Sequence, residues 1–99
     1  RGDDVAKMID KEVLQYIKQQ GLWTLSRKIA TLTAALSQEE SAELYIERGK
    51  CYYRQNNWGN AINDFRKAEE LKPELEEARQ FREMVEEILE FRYKDIYNP

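Results

Sequence analysis

Apolar residues recur at a helical period along almost the whole of this 99-residue chain, and the interruptions between helical stretches are short. Val5, Ile9, Val13 and Ile17 fall every four residues and line one face of a first helix. That helix stops near Gln20-Gly21, where glycine accepts the left-handed conformation that ends helices. Trp23, Leu25, Ile29, Leu32 and Leu36 mark a second helix, ending before the polar stretch from Ser37 to Ser41. Ser37 to Glu40 has the spacing of a capping box for the third helix, with Ser41 as a competing cap.

The third helix is expected from about Ala42 to Arg54, closed by the turn Gln55-Asn56-Asn57. Asn57 caps the fourth, which runs from Trp58 to about Leu71. Lys72-Pro73 ends it, because proline lacks the donor and clashes with the preceding turn. Glu74, Glu76 and Glu77 then stand where a helix N-terminus favours negative charge. A long fifth helix follows, with Ala78, Phe81, Val85, Ile88, Leu89 and Tyr93 on its apolar side. No β-type alternation of useful length occurs. The expected fold is all-α: antiparallel helical hairpins in an α-α array of about five helices, forming one domain over residues 1–99.

Gly49 interrupts the third helix, where glycine costs about 1 kcal/mol relative to alanine, so it needs a packing reason. Close approach of the helix bearing Ala61 supplies one, with Tyr52 and Phe65 filling the space on either side. Residues 42–75 resemble a tetratricopeptide repeat. Tyr45, Gly49, Tyr52, Ala61, Phe65, Ala68 and Pro73 fall where that family's pattern wants large, small, large, small, large, small and proline. Two positions depart from the pattern. Tyr45 replaces a frequent tryptophan, and Arg48 stands where the family prefers leucine, so its stem is expected to pack while its head reaches solvent. Trp23 lies 35 residues before Trp58, which makes residues 5–37 a degenerate repeat of altered size pattern. The final helix, about residues 74–95, resembles the cap that covers the last repeat's apolar face.

Composition narrows the function. Hydrophobic residues make up 41% and charged residues 35%, a globular mixture. No apolar run reaches the roughly 18–20 residues that span a bilayer, and acidic and basic residues break up the N-terminal stretch that a secretory signal would need. The chain starts Arg1-Gly2 and so reads as a processed product or a piece of something longer. The lone Cys51 allows neither an intramolecular disulfide nor a cysteine metal site, and fits a reducing, cytoplasmic compartment without fixing it. Net charge is −3, with nine acidic and three basic residues between 69 and 90. Phosphate binding needs concentrated Lys and Arg, so nucleic acid is not an expected partner. There is no histidine, no phosphate-binding glycine loop and no nucleophile motif. No enzymatic activity, cofactor or metal is expected.

The resemblance implies a binding surface. In tetratricopeptide arrays the first helix of each pair lines a concave groove that holds an extended peptide or a partner helix. Carried onto the clear repeat, the groove positions are Glu43, Ile46, Lys50, Tyr53 and Arg54. Carried onto the first and last helices, they include Met8, Lys11, Gln15, Lys18 and Gln19, then Glu77, Gln80, Met84, Glu87 and Ile88. Lys11, Gln15, Lys50, Tyr53 and Arg54 are the candidate binding residues, although Lys50 and Arg54 also read as a plain solvated face. The family's carboxylate clamp is matched only in part: Lys11 and Gln15 suit it, but Glu47 would repel a carboxylate. The expected partner is a protein or peptide. The alternative is a structural element that self-associates or docks through its long last helix and the aromatic tail of Phe91, Tyr93 and Tyr97.

Overall fold

The computed structural model of the chain describes residues 14–15 and 24–97, and their side chains up to residue 91. Most of the expected first helix therefore lies outside the described residues, although Leu14 and Gln15 are helical and Leu14 packs on the core. The described residues form four helices and no strand, an all-α fold.

The helix ends follow from their capping side chains. The first helix, α1 (Leu25–Gln38), starts on Thr24, whose hydroxyl accepts the Arg27 N–H at 3.2 Å. It continues through Ser37, past the expected end. Ser37 bonds back to the Ala34 carbonyl at 2.7 Å, which satisfies its hydroxyl inside the helix and leaves it no part in capping the next one. Ser41 takes that role: its hydroxyl accepts the Leu44 N–H at 3.3 Å and opens α2 (Ala42–Arg54). At the other end Asn56 adopts φ 61°, the left-handed conformation that asparagine tolerates better than most residues. Asn56 N–H then reaches the Tyr53 carbonyl at 3.0 Å and Asn57 N–H the Tyr52 carbonyl at 2.9 Å. These two bonds make a Schellman closure, so the turn from α2 into α3 is tight. The third helix, α3 (Trp58–Leu71), is capped by Asn57 and ends at Lys72-Pro73 as the sequence predicts. The last, α4 (Glu76–Tyr97), is the longest at 22 residues and carries Glu76 and Glu77 in its first turn.

Each helix packs chiefly on its neighbours in sequence. The core comprises Leu32 and Leu36 of α1, Leu44 and Ile46 of α2, Ala61, Phe65 and Ala68 of α3, and Ala78 and Val85 of α4. Phe65 is fully buried and stacks on Phe81 with centroids 5.1 Å apart, so it ties α3 to α4. Burying a phenylalanine completely contributes about 1.5–3 kcal/mol. The same ring explains Gly49. A Cβ built there would lie 2.6 Å from Phe65 Cε1 and 2.9 Å from two further ring atoms. It is the Phe65 ring that fills the space beside Gly49 on the facing helix, with Ala61 buried one turn earlier.

Arg48 departs from expectation. Its side chain is mostly covered, and its head forms a two-pronged bond with the buried Asp64 carboxylate, at 2.8 Å from Nε and 2.7 Å from Nη2. Nη1 also donates to Thr33 Oγ1 at 3.1 Å, so one guanidinium joins α1, α2 and α3. Tyr45 and Tyr52 flank it, with ring centroids 5.6 and 5.8 Å from Cζ. Two aromatic faces and a carboxylate hold the charge where leucine would have been merely apolar.

Candidate functional site

Lys50, Tyr53 and Arg54 stand three and four residues apart on α2, a spacing that puts them on one face of the helix. The structure gives them different surroundings. Lys50 is half-buried; its ammonium pairs with Glu77 of α4 at 2.7 Å and with Glu47 at 3.7 Å, and lies 5.2 Å from the centroid of the Phe81 ring. Its charge is thus answered within the chain. Tyr53 is held edge-on against Trp58 at 5.2 Å, and its hydroxyl donates to Met84 Sδ at 3.8 Å. That fixes an aromatic side chain on the seam between α2 and α4 while leaving it partly open to solvent. Arg54 is exposed in the last turn of α2 and forms no ion pair among the described residues. A cation there suits the negative end of the helix.

The remaining candidates divide. Gln15 is helical and exposed, while Lys11 lies outside the described residues, as do Met8, Lys18 and Gln19. Ile46 is 3% exposed and belongs to the core rather than to an open groove. Glu43 bonds to Lys72 at 2.9 Å, and that hydrogen bond holds its carboxyl below the usual carboxylate range. On α4, Gln80 and Glu87 are exposed, whereas Met84 and Ile88 are half-buried. The Glu47 carboxylate stands 3.7 Å from the Lys50 ammonium, where an incoming anion would meet it.

Two features escaped the sequence reading. One is Asp64, buried beneath Arg48, where desolvation pushes its carboxyl up and the guanidinium pulls it down. Arg48 in turn is held more firmly protonated by its bonds to Asp64. A charged residue at a leucine position is the signal that a buried partner exists, but nothing in the spacing says which residue it is. The pair floors an open cleft of about 420 Å³ between α2 and α3. Its cations are largely answered, since Asp64 holds Arg48 and Glu86 holds Arg66 at 3.1 Å. The other feature is the exposure of Phe91, which the sequence named only as part of the aromatic tail: it stands 67% exposed on α4.

The model of the tetratricopeptide repeat family matches residues 42–75, the span of α2, α3 and the turn after them. Residues 42–75 are a tetratricopeptide repeat. No curated protein and no solved structure matches the chain. Within the repeat, the small residues Gly49, Ala61 and Ala68 are all buried, and the Phe65 ring fills the space beside Gly49. The repeat's first helix is the one that carries Lys50, Tyr53 and Arg54. Among the described residues no helix is long and apolar enough to cross a membrane.

Proposed function

We propose that this chain is a protein-interaction module that holds a peptide or helix of a partner in the concave groove beside α2, using Lys11, Gln15, Lys50, Tyr53 and Arg54. The observation that carries the reading is Tyr53: a partly exposed aromatic seated between α2 and α4, next in sequence to a cation that forms no ion pair among the described residues. Aromatic and arginine side chains held in this way are enriched among residues that dominate binding. Arg54 calls for negative charge on the ligand where it passes α2. Such a contact is exposed, so each charge contributes modestly and binding weakens with salt.

The test selects ligands from a displayed random-peptide library and titrates them against two variants. Lys50→Gln/Arg54→Glu alters the groove; glutamine is used at 50 because a glutamate there would face Glu77. Arg27→Glu/Lys28→Glu alters α1 as the control. Loss of binding in the groove variant alone supports the reading. Loss in the control alone moves the site to α1 and rejects it.

The second reading is self-association through α4, which the exposure of Phe91 favours. Light scattering over a concentration series distinguishes it, because a module that binds other proteins stays monomeric on its own.

A further inference from the structure

The groove face of α4 continues where α2 stops. From Met84, which receives the Tyr53 hydroxyl, Ile88 and Phe91 follow at steps of four and three residues, so the three share one face. They cover about 10 Å of helix axis. Exposure rises along the strip from half-buried Met84 and Ile88 to Phe91 at 67%. A single exposed phenylalanine is ordinary, but one that extends a half-covered apolar strip marks a surface with room for more apolar contact.

The charges beside the strip say what fits. Four of the six described carboxylates of α4 are engaged: Glu77 with Lys50, Glu76 with Arg79, Glu83 with Arg82, and Glu86 with both Arg66 and Arg82. Glu87 and Glu90 are exposed, lie together along one edge of the strip and form no ion pair among the described residues. A second copy of α4 laid on the strip would bring its own Glu87 and Glu90 to the same seam, where like charges repel. A basic segment brings the opposite sign.

We infer that the Met84–Ile88–Phe91 strip docks an amphipathic basic segment of a partner protein. Apolar side chains at helical spacing seat on Ile88 and Phe91, and lysines or arginines meet Glu87 and Glu90. The inference rests on the groove reading, since Tyr53 joins the strip to the groove. It adds that the ligand is polarised, acidic where it passes Arg54 and basic where it follows α4.

Two short fluorescein-labelled peptides serve as probes. Both carry leucines at the same helical spacing; lysines stand between them in one and glutamates in the other. Fluorescence anisotropy should show the lysine probe binding the full chain and the glutamate probe binding weakly. Phe91→Ser should weaken the lysine probe about tenfold, equivalent to ~1.4 kcal/mol, with the helical signal in circular dichroism unchanged. Because this variant keeps the charge, its effect separates docking from bulk attraction to an acidic protein. Glu87→Lys/Glu90→Lys should reverse the preference between probes. Equal binding of the two probes, or indifference to Phe91→Ser, overturns the inference. So does a concentration-dependent dimer of the unlabelled chain that Phe91→Ser abolishes, since the occupant is then a second copy. Library-selected ligands that need Arg54 but ignore Phe91 overturn this inference and leave the groove reading standing. Ligands indifferent to both sites remove the groove reading itself.

Discussion

At the Gly49 position the ring of Phe65 occupies the volume that a Cβ would need, and that ring is clamped by Phe81 on its other side. A side chain added at Gly49 cannot be relieved by moving a flexible tip. Overpacking of this kind costs about 1–3 kcal/mol, and replacing a helical glycine by alanine returns up to about 1. Gly49→Ala should therefore lose about 1–2 kcal/mol in urea unfolding, and Phe65→Leu in the same chain should make the pair less damaging than the two changes added separately. Additive losses would mean that the Phe65 ring does not fill the space beside Gly49. Tyr45 gives a second residue-scale expectation. Burial, with the Glu40 carboxylate accepting its hydroxyl proton at 2.7 Å, pushes its phenol up to about 12 from an ordinary 10. The folded chain holds this phenol neutral where the unfolded chain ionises it. Its stabilising contribution is present in full below pH about 10 and is lost as pH rises from about 10 to about 12. The urea midpoint should fall across that window, and less so in Tyr45→Phe. Gly49 was legible in the sequence because glycine in a helix demands a reason. Phe65 was named there too, but as a filler to one side of a contact at Ala61, since size patterns name two helices before they name the touching atoms.

The element-scale question is what holds α1, α2 and α3 in register. Ridges of leucine and alanine would pack at several offsets, but a guanidinium with a carboxylate on one side and a hydroxyl on the other fits only one. Arg48 is 18% and Asp64 5% exposed at the side chain, so the pair is largely dry. Removing one member leaves the other charge buried and uncompensated, which costs 3–5 kcal/mol in fully buried cases and about 2–4 where an arginine retains some access to water. Asp64→Ala should fall in that range. Arg48→Leu/Asp64→Leu should recover most of the loss, because a packed apolar pair is often neutral or better than a buried ion pair. If the double variant were as unstable as Asp64→Ala, the two residues would not be acting as a pair. The helices themselves were readable from apolar periodicity and breakers, and Asn57 and Pro73 bounded α3 as expected. The start of α2 was decided between Ser37 and Ser41 by hydrogen bonds that both serines could have made. The departure at Arg48 looked tolerable from sequence alone. Its partner lies sixteen residues on, a separation that helical period does not single out.

Over the whole molecule, the question is what α4 does for the repeat it packs on. Thirty-four residues after Tyr45, Gly49 and Tyr52 stand Arg79, Glu83 and Glu86, charges where a further helix would need large, small and large apolar partners. Arg82, Glu69 and Glu86 form ion pairs on that side of α3 and α4, so the surface is finished in charge. We read α4 as the cap of the array on these grounds. Its inner side gives Ala78 and Val85 to the core, with Phe81 and Leu89 packed against it. Those side chains amount to roughly 5 kcal/mol of apolar burial, before the loss of cover over Ala61, Phe65 and Ala68 is counted. A domain of this size is stable by about 5–15 kcal/mol, so little would remain. Deleting residues 76–99 should therefore yield a chain that aggregates or shows no cooperative melt. The checks are gel filtration and circular dichroism on the truncated chain. The acidic outer side keeps such surfaces in solution, so a truncated chain that precipitates at low salt but folds when the same helix is added back as a peptide would locate the effect in α4 itself. A truncated chain that stayed monomeric and melted cooperatively would instead show that α1, α2 and α3 suffice, and α4 would then be free to serve its partner alone.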